Sequence, residues 1–116
     1  MTFTALYAVD EPSPGSIAAL PGLVVLEFGT AWCGHCIAAQ PAIEAALSTQ
    51  PGIRHIKVED GRGRPLGRAF RVKLWPTLVV LRDGVERARV VRPTAVDPLR
   101  LALEQAGGED VPKPSP

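Results

Sequence analysis

Leu23-Val24-Val25-Leu26-Glu27-Phe28-Gly29-Thr30-Ala31-Trp32-Cys33-Gly34-His35-Cys36 decides how this chain is read. Leu23 to Gly29 is apolar on both faces and rich in residues that favour strands, which suits a central strand covered on both sides. Its single charge is Glu27. Straight after the strand come Trp32 and two cysteines separated by Gly34 and His35. A helix is predicted from near Cys33 to Ser48, ended by Pro51-Gly52. The two thiols therefore sit where a strand hands over to a helix.

That setting has chemical consequences. Cys33 falls near the helix N-terminus, where unpaired N–H groups and the macrodipole favour an anion. A thiol there loses its proton more readily, and the thiolate is the nucleophilic form. Cys36 lies one turn along on the same side, placed to attack a mixed disulfide on Cys33 and release a substrate. His35 adds a titratable cation beside the thiolate. A bridge between cysteines three positions apart closes almost no loop, so it is a poor structural staple. Half a zinc site is the competing reading. Zinc usually takes four ligands, and only His35 and His55 remain as nitrogen donors, so no metal is expected.

Working outward, Thr2 to Val9 reads as a short first strand, and Asp10 to Gly22 as a loop with a short helix around Ser16 to Leu20. Ile53 to Glu59 is the next strand and Gly61 to Pro65 a loop. Pro65 to Phe70 starts a short helix, because Pro is welcome at a first helical position. Thr77 to Arg82 is a third strong strand. Asp83-Gly84 is a hairpin signal, with Val85 to Val91 as the partner strand. Asp97-Pro98 reads as an N-cap followed by Pro, and Leu99, Ala102, Leu103 and Ala106 form one apolar stripe. The order β-α-β-α-β-β-α places parallel strands first and an antiparallel hairpin last, with helices on both faces of a mixed sheet.

The whole-chain numbers set the frame. At 116 residues, 46% hydrophobic and 22% charged, the sequence suits one globular domain with a real core. Residues 1–106 are read as that domain and 107–116 as a disordered tail. A net charge of +1 gives no reason to expect a nucleic-acid partner. Arg62, Arg64, Arg68 and Arg71 read as a solvated helix face. No apolar run reaches the length of a membrane helix, and the N-terminus lacks the basic start and apolar stretch of a secretory signal, so a cytoplasmic protein is expected; a monomer is expected as well, although nothing in the sequence fixes the oligomeric state.

Trp32-Cys33-Gly34-His35-Cys36 after a β-strand resembles the thioredoxin superfamily, with the protein disulfide isomerase version of the tetrapeptide. Thioredoxin itself usually has Pro at the place of His35. The resemblance runs from about Leu23 to Ala106. It takes in Glu27 at the family's buried acid, Pro41 in the active-site helix, Trp75-Pro76-Thr77 at the cis-proline loop and Asp83-Gly84 at the last turn. It implies the thioredoxin fold and dithiol–disulfide exchange on protein substrates, as part of cell redox homeostasis. No cofactor is implied beyond the Cys33–Cys36 pair, which a reductase or glutathione would recycle.

The resemblance also implies roles. Glu27 would accept the proton of Cys36 through a water. On the residues alone it could instead reach the surface or pair with Lys57, and an isolated buried acid should be removable without loss of stability. His55 and Lys57 share one strand face, and either can be the acid's neighbour. Pro41 either kinks the helix, as the resemblance favours, or ends it. Trp75-Pro76 would be cis, with the Trp75 backbone pairing an extended substrate and Trp32 and Trp75 flanking the sulfurs. Arg92 is a departure, since the family usually has Gly beside the site. It adds bulk and charge to the groove, and favours an alternative: a binding module of the same fold whose dithiol is only a redox switch.

Overall fold

The computed structural model describes residues 3–107, with elements in the order α1 (Pro14–Ala18), β1 (Leu23–Gly29), α2 (Gly34–Ser48), β2 (Arg54–Glu59), α3 (Pro65–Ala69), β3 (Thr77–Arg82), β4 (Val85–Val91) and α4 (Val96–Gly107). The strands form one sheet in the order β2-β1-β3-β4. β1 pairs with β2 in parallel and with β3 antiparallel, and β3 and β4 form the closing hairpin. This is the mixed sheet expected from the pattern of elements.

The two-residue period of the strands sorts the core into two layers. Val25, Leu78 and Val80 face α2 and α4, where they meet Ile43, Leu47, Leu99 and Leu103. Val24, Leu26, Phe28, Val79 and Leu81 face the other way, against Ile17 of α1 and Leu66 of α3. Both faces of β1 are covered, which is why its sequence is apolar throughout. Glu27 keeps step with Val25 and so points into the α2 layer. His55 and Lys57 lie opposite Val25 and Glu27 in the register, on that same side.

Helix α2 runs through Pro41 to Ser48. Pro41 therefore does not end it, although its missing N–H leaves the Ile37 carbonyl without its usual helical donor. The β3–β4 turn has Asp83 at φ 50° and Gly84 at φ 82°, the left-handed pair that a two-residue hairpin demands. Asp83 is held from outside, accepting the Gly22 N–H at 2.7 Å.

Two local expectations are corrected. Residues 3–9 form no strand. Side chains take the places of a ladder there: the Thr4 N–H donates to His55 Nδ1 (2.8 Å), the Thr4 hydroxyl to the His55 carbonyl (2.6 Å), and Lys57 Nζ to the Ala5 carbonyl (3.0 Å). A backbone bond from Ala8 N–H to the Lys57 carbonyl completes the attachment to β2. Helix α4 begins at Val96, so Asp97 lies inside its first turn rather than capping it, and its carboxylate meets Arg100 at 2.9 Å. The tail expected at 107–116 lies, beyond Gly107, outside the described residues.

Candidate active site

Cys33 is the N-cap of α2, and both cysteines are reduced and buried. The Cys33 sulfur accepts the Cys36 N–H at 3.4 Å. Burial works against ionisation of Cys33. Hydrogen bonds from the Cys36 thiol and from the Cys36 and His35 N–H groups, with the nearby charge of Arg92, outweigh it and hold Cys33 below the usual thiol range. Cys36 moves the opposite way. Burial pushes it up to about 11, and donation of its proton to Cys33 keeps it there. Cys33 therefore gives up its proton more readily than Cys36 does.

The His35 side chain is exposed and makes no hydrogen bond to Cys33, while its N–H is among the groups that lower the Cys33 thiol. Gly29, at the end of β1, is a steric requirement, because a Cβ there would overlap Cys36 Sγ and stand 3.1 Å from Tyr7 Oη.

Glu27 is fully buried but not isolated. Its Oε1 lies 2.8 Å from His55 Nε2, and its Oε2 accepts from Gln40 Nε2 at 2.9 Å. Because His55 Nδ1 accepts the Thr4 N–H, the ring proton sits on Nε2, and a neutral His55 donates to the carboxylate. Gln40 also donates to the Cys36 carbonyl (2.8 Å) and accepts from Lys57 Nζ (2.9 Å). Of the two candidate neighbours, His55 touches the acid directly, and Lys57 reaches it through Gln40. Gln40 was not singled out in the sequence, although its position four residues after Cys36 puts it on the same helix face.

The facing wall is the Trp75–Pro76 loop, whose peptide bond is cis. Trp75 is fixed by Asp60, which accepts its indole N–H at 2.8 Å, and meets the exposed Trp32 edge-on with ring centroids 5.8 Å apart. Thr77 is buried and its hydroxyl donates to the Leu74 carbonyl. Arg92 adopts φ 51°, a region that favours glycine. Its N–H donates to the Pro76 carbonyl (2.9 Å) and its Nε to the Trp75 carbonyl (2.7 Å). Arg92 thus occupies the Trp75 carbonyl.

A cleft of about 630 Å³ opens beside Cys36, lined among others by Leu6, Tyr7, Thr30, Ile37 and Pro41. Tyr7 and Asp60 were missed in the sequence. Both come from loops distant in the chain, and no local pattern marks them. Among the described residues, no three His, Cys, Asp or Glu side chains gather as metal ligands, and no helix is long and apolar enough to cross a membrane.

Comparison with known proteins agrees with this geometry. Residues 15–105 match the family model described as Thioredoxin. The chain is 33% identical over 100 residues to protein disulfide-isomerase A3 of Gallus gallus, covering 85% of this chain but only 20% of that protein. Thioredoxin Asp f 28 of Aspergillus fumigatus is 29% identical over 84 residues, with 72% of this chain and 78% of that one covered. The solved structure of thioredoxin 2 from Pseudomonas aeruginosa PAO1 in its reduced form superposes with a TM-score of 0.81 at 50% identity, covering 92% of this chain and 99% of that one.

Proposed function

Because the chain belongs to the thioredoxin family, whose members exchange thiols and disulfides through their own dithiol, we propose that it passes electrons between Cys33–Cys36 and protein disulfides. The observation that carries this is the pair of reduced thiols at the start of α2, Cys33 at its N-cap with its sulfur accepting the Cys36 N–H one helical turn along. The Cys33 thiolate attacks one sulfur of a substrate disulfide, and the other sulfur leaves with the bonding electrons. Cys36 then gives up its proton and attacks Cys33 Sγ. The mixed disulfide breaks, the substrate leaves reduced, and the Cys33–Cys36 disulfide forms.

Glu27 is the proton acceptor for Cys36 in this reading, by way of a water. Support comes from Gln40, which links the carboxylate to the Cys36 carbonyl, and from Lys57, which steadies Gln40. Trp32, Trp75, Pro76 and Thr77 shape the groove, while Gly34 lets a substrate approach the Cys33 sulfur closely. Residues 1–106 form the working domain, acting as a monomer in the cytoplasm, with a reductase or glutathione restoring the dithiol. No metal or added cofactor takes part.

A second reading is favoured by Arg92, whose guanidinium occupies the Trp75 carbonyl. On that reading the groove captures a partner and the dithiol only switches capture on or off. Reduction of insulin driven by dithiothreitol separates the two. Catalysis that disappears in Cys33→Ser supports exchange. Absence of catalysis in the unaltered protein, with a partner held equally by Cys33→Ser, would replace it with the binding module.

A further inference from the structure

Tyr7 is the sole tyrosine of the chain, and it belongs to none of the motifs considered so far. Its hydroxyl oxygen is shut off from solvent and makes no hydrogen bond of standard geometry within the protein. A buried hydroxyl without a partner is costly, so its location needs a reason. The segment around it is pinned to β2 by the Ala5 and Ala8 bonds to Lys57, and Lys57 Nζ stands 4.6 Å from the Tyr7 ring centroid. These contacts deliver the hydroxyl end of the ring to the space above Gly29, which it shares with Cys36 Sγ.

We propose that Tyr7 is a hydrogen-bond donor to the Cys36 sulfur and stabilises the Cys36 thiolate as it forms during substrate release; this rests on the dithiol-exchange reading above. During release the Cys36 S–H bond breaks and its proton goes to Glu27. The freed electron pair makes the bond to Cys33 Sγ, and the substrate sulfur departs with the electrons of the mixed disulfide. Negative charge therefore passes through Cys36 Sγ, to which, among the described residues, no side-chain ammonium or guanidinium donates. A hydroxyl already held beside it needs only to turn its O–H to meet that charge.

Tyr7 suits the role of donor rather than base. Burial, and then the negative charges at Cys36 and Glu27, hold its phenol proton on well above the usual tyrosine range. Against the burial that raises Cys36, the Thr30 backbone and the Tyr7 hydroxyl act in the lowering direction. The titratable and charged groups facing the pair are Cys33, Glu27 and Lys57. The Tyr7 hydroxyl waits without a standard partner while Cys36 is a thiol, and gains one when the sulfur becomes an anion.

The test loads the Cys33 sulfur with 5-thio-2-nitrobenzoate from the corresponding aromatic disulfide. The first released thiol then reports attack by Cys33, and the second reports resolution by Cys36. Tyr7→Phe removes only the hydroxyl and keeps the ring beneath Lys57. The second release should slow by at least about tenfold at pH 7, the effect of losing one hydrogen bond to a charged group, with its pH profile displaced upward. The first release should stay within about twofold. A merely structural role would lower the melting temperature and slow both phases alike. Because Tyr7 is the only tyrosine, replacing tyrosine by 3-fluorotyrosine during expression alters this position alone and gives a stronger donor, so the second release should quicken. A second release unchanged in rate and pH profile in both proteins overturns the proposal. A single release per molecule in the unaltered protein would overturn the exchange reading itself.

Discussion

Replacing His35 by Pro and by Ala separates two ways in which this position can set the redox poise. The His35 ring is exposed and makes no bond to Cys33, whereas its N–H donates to the Cys33 sulfur. His35→Pro deletes that donor, and His35→Ala keeps it. Pro is tolerated in the first turn of a helix, so α2 should still form. A hydrogen bond to a charged group contributes about 1.5–3 kcal/mol. For a two-electron couple about 30 mV corresponds to roughly 1.4 kcal/mol. The bond acts only on the reduced protein, because the disulfide carries no anionic sulfur. Its loss therefore makes the potential more negative, by roughly 30–60 mV in His35→Pro. His35→Ala should stay close to the unaltered protein. Equilibration with glutathione, followed by quantifying reduced and oxidised forms, measures both. Equal shifts in the two variants would show that the ring, not the N–H, sets the poise, and no shift in either would remove position 35 from the account.

Other perturbations follow from the same geometry. Glu27→Leu leaves the buried His55 Nε2–H without an acceptor and frees a half-buried Gln40 N–H, so it should cost about 2 kcal/mol in chemical denaturation, against the sequence expectation of no loss. Iodoacetamide labelling of the reduced protein should be confined to Cys33 from pH 6 to 8, with Cys36 gaining reactivity only as the pH climbs towards about 11, because the depressed thiol ionises first and the raised one last. Peptide mapping that finds Cys36 labelled first would reverse the assignment. Gly84→Ala drives a methyl into the Ala18 carbonyl at φ 82°, and should lower stability by at least about 2 kcal/mol in the same denaturation assay.

What the sequence reveals is what short-range pattern controls. β1, β3 and β4 fall where their apolar runs and the Asp83-Gly84 turn place them, and the thiols stand at the strand–helix junction that their spacing indicates. The errors come from contacts between distant segments. Phe3, Ala5 and Tyr7 alternate as a strand would, yet Thr4 turns its N–H to a histidine ring instead of a neighbouring backbone. Glu27 reads as an isolated acid because its partners arrive from β2 and α2 and depend on the register of β1 with β2. Arg92 is visible as an oddity, but its hold on the Trp75 carbonyl requires the loop to be folded beside β4. Tyr7 owes its place to Lys57, fifty residues away, and nothing near it in the chain marks it.

The division of labour between the two thiols is the centre of this account, and trapping a mixed disulfide tests it most directly. Cys36→Ser and Cys33→Ser are each incubated with a disulfide-containing protein such as insulin, quenched in acid and examined for covalent adducts without reductant. Cys36→Ser should accumulate a substrate-linked species joined through Cys33, since attack proceeds and release cannot. Cys33→Ser should accumulate none at neutral pH, because Cys36 is buried and burial, the larger cause of its raised pKa, remains in that variant. Adducts that build up on Cys36 in the Cys33→Ser protein, and not on Cys33 in the other, would contradict it.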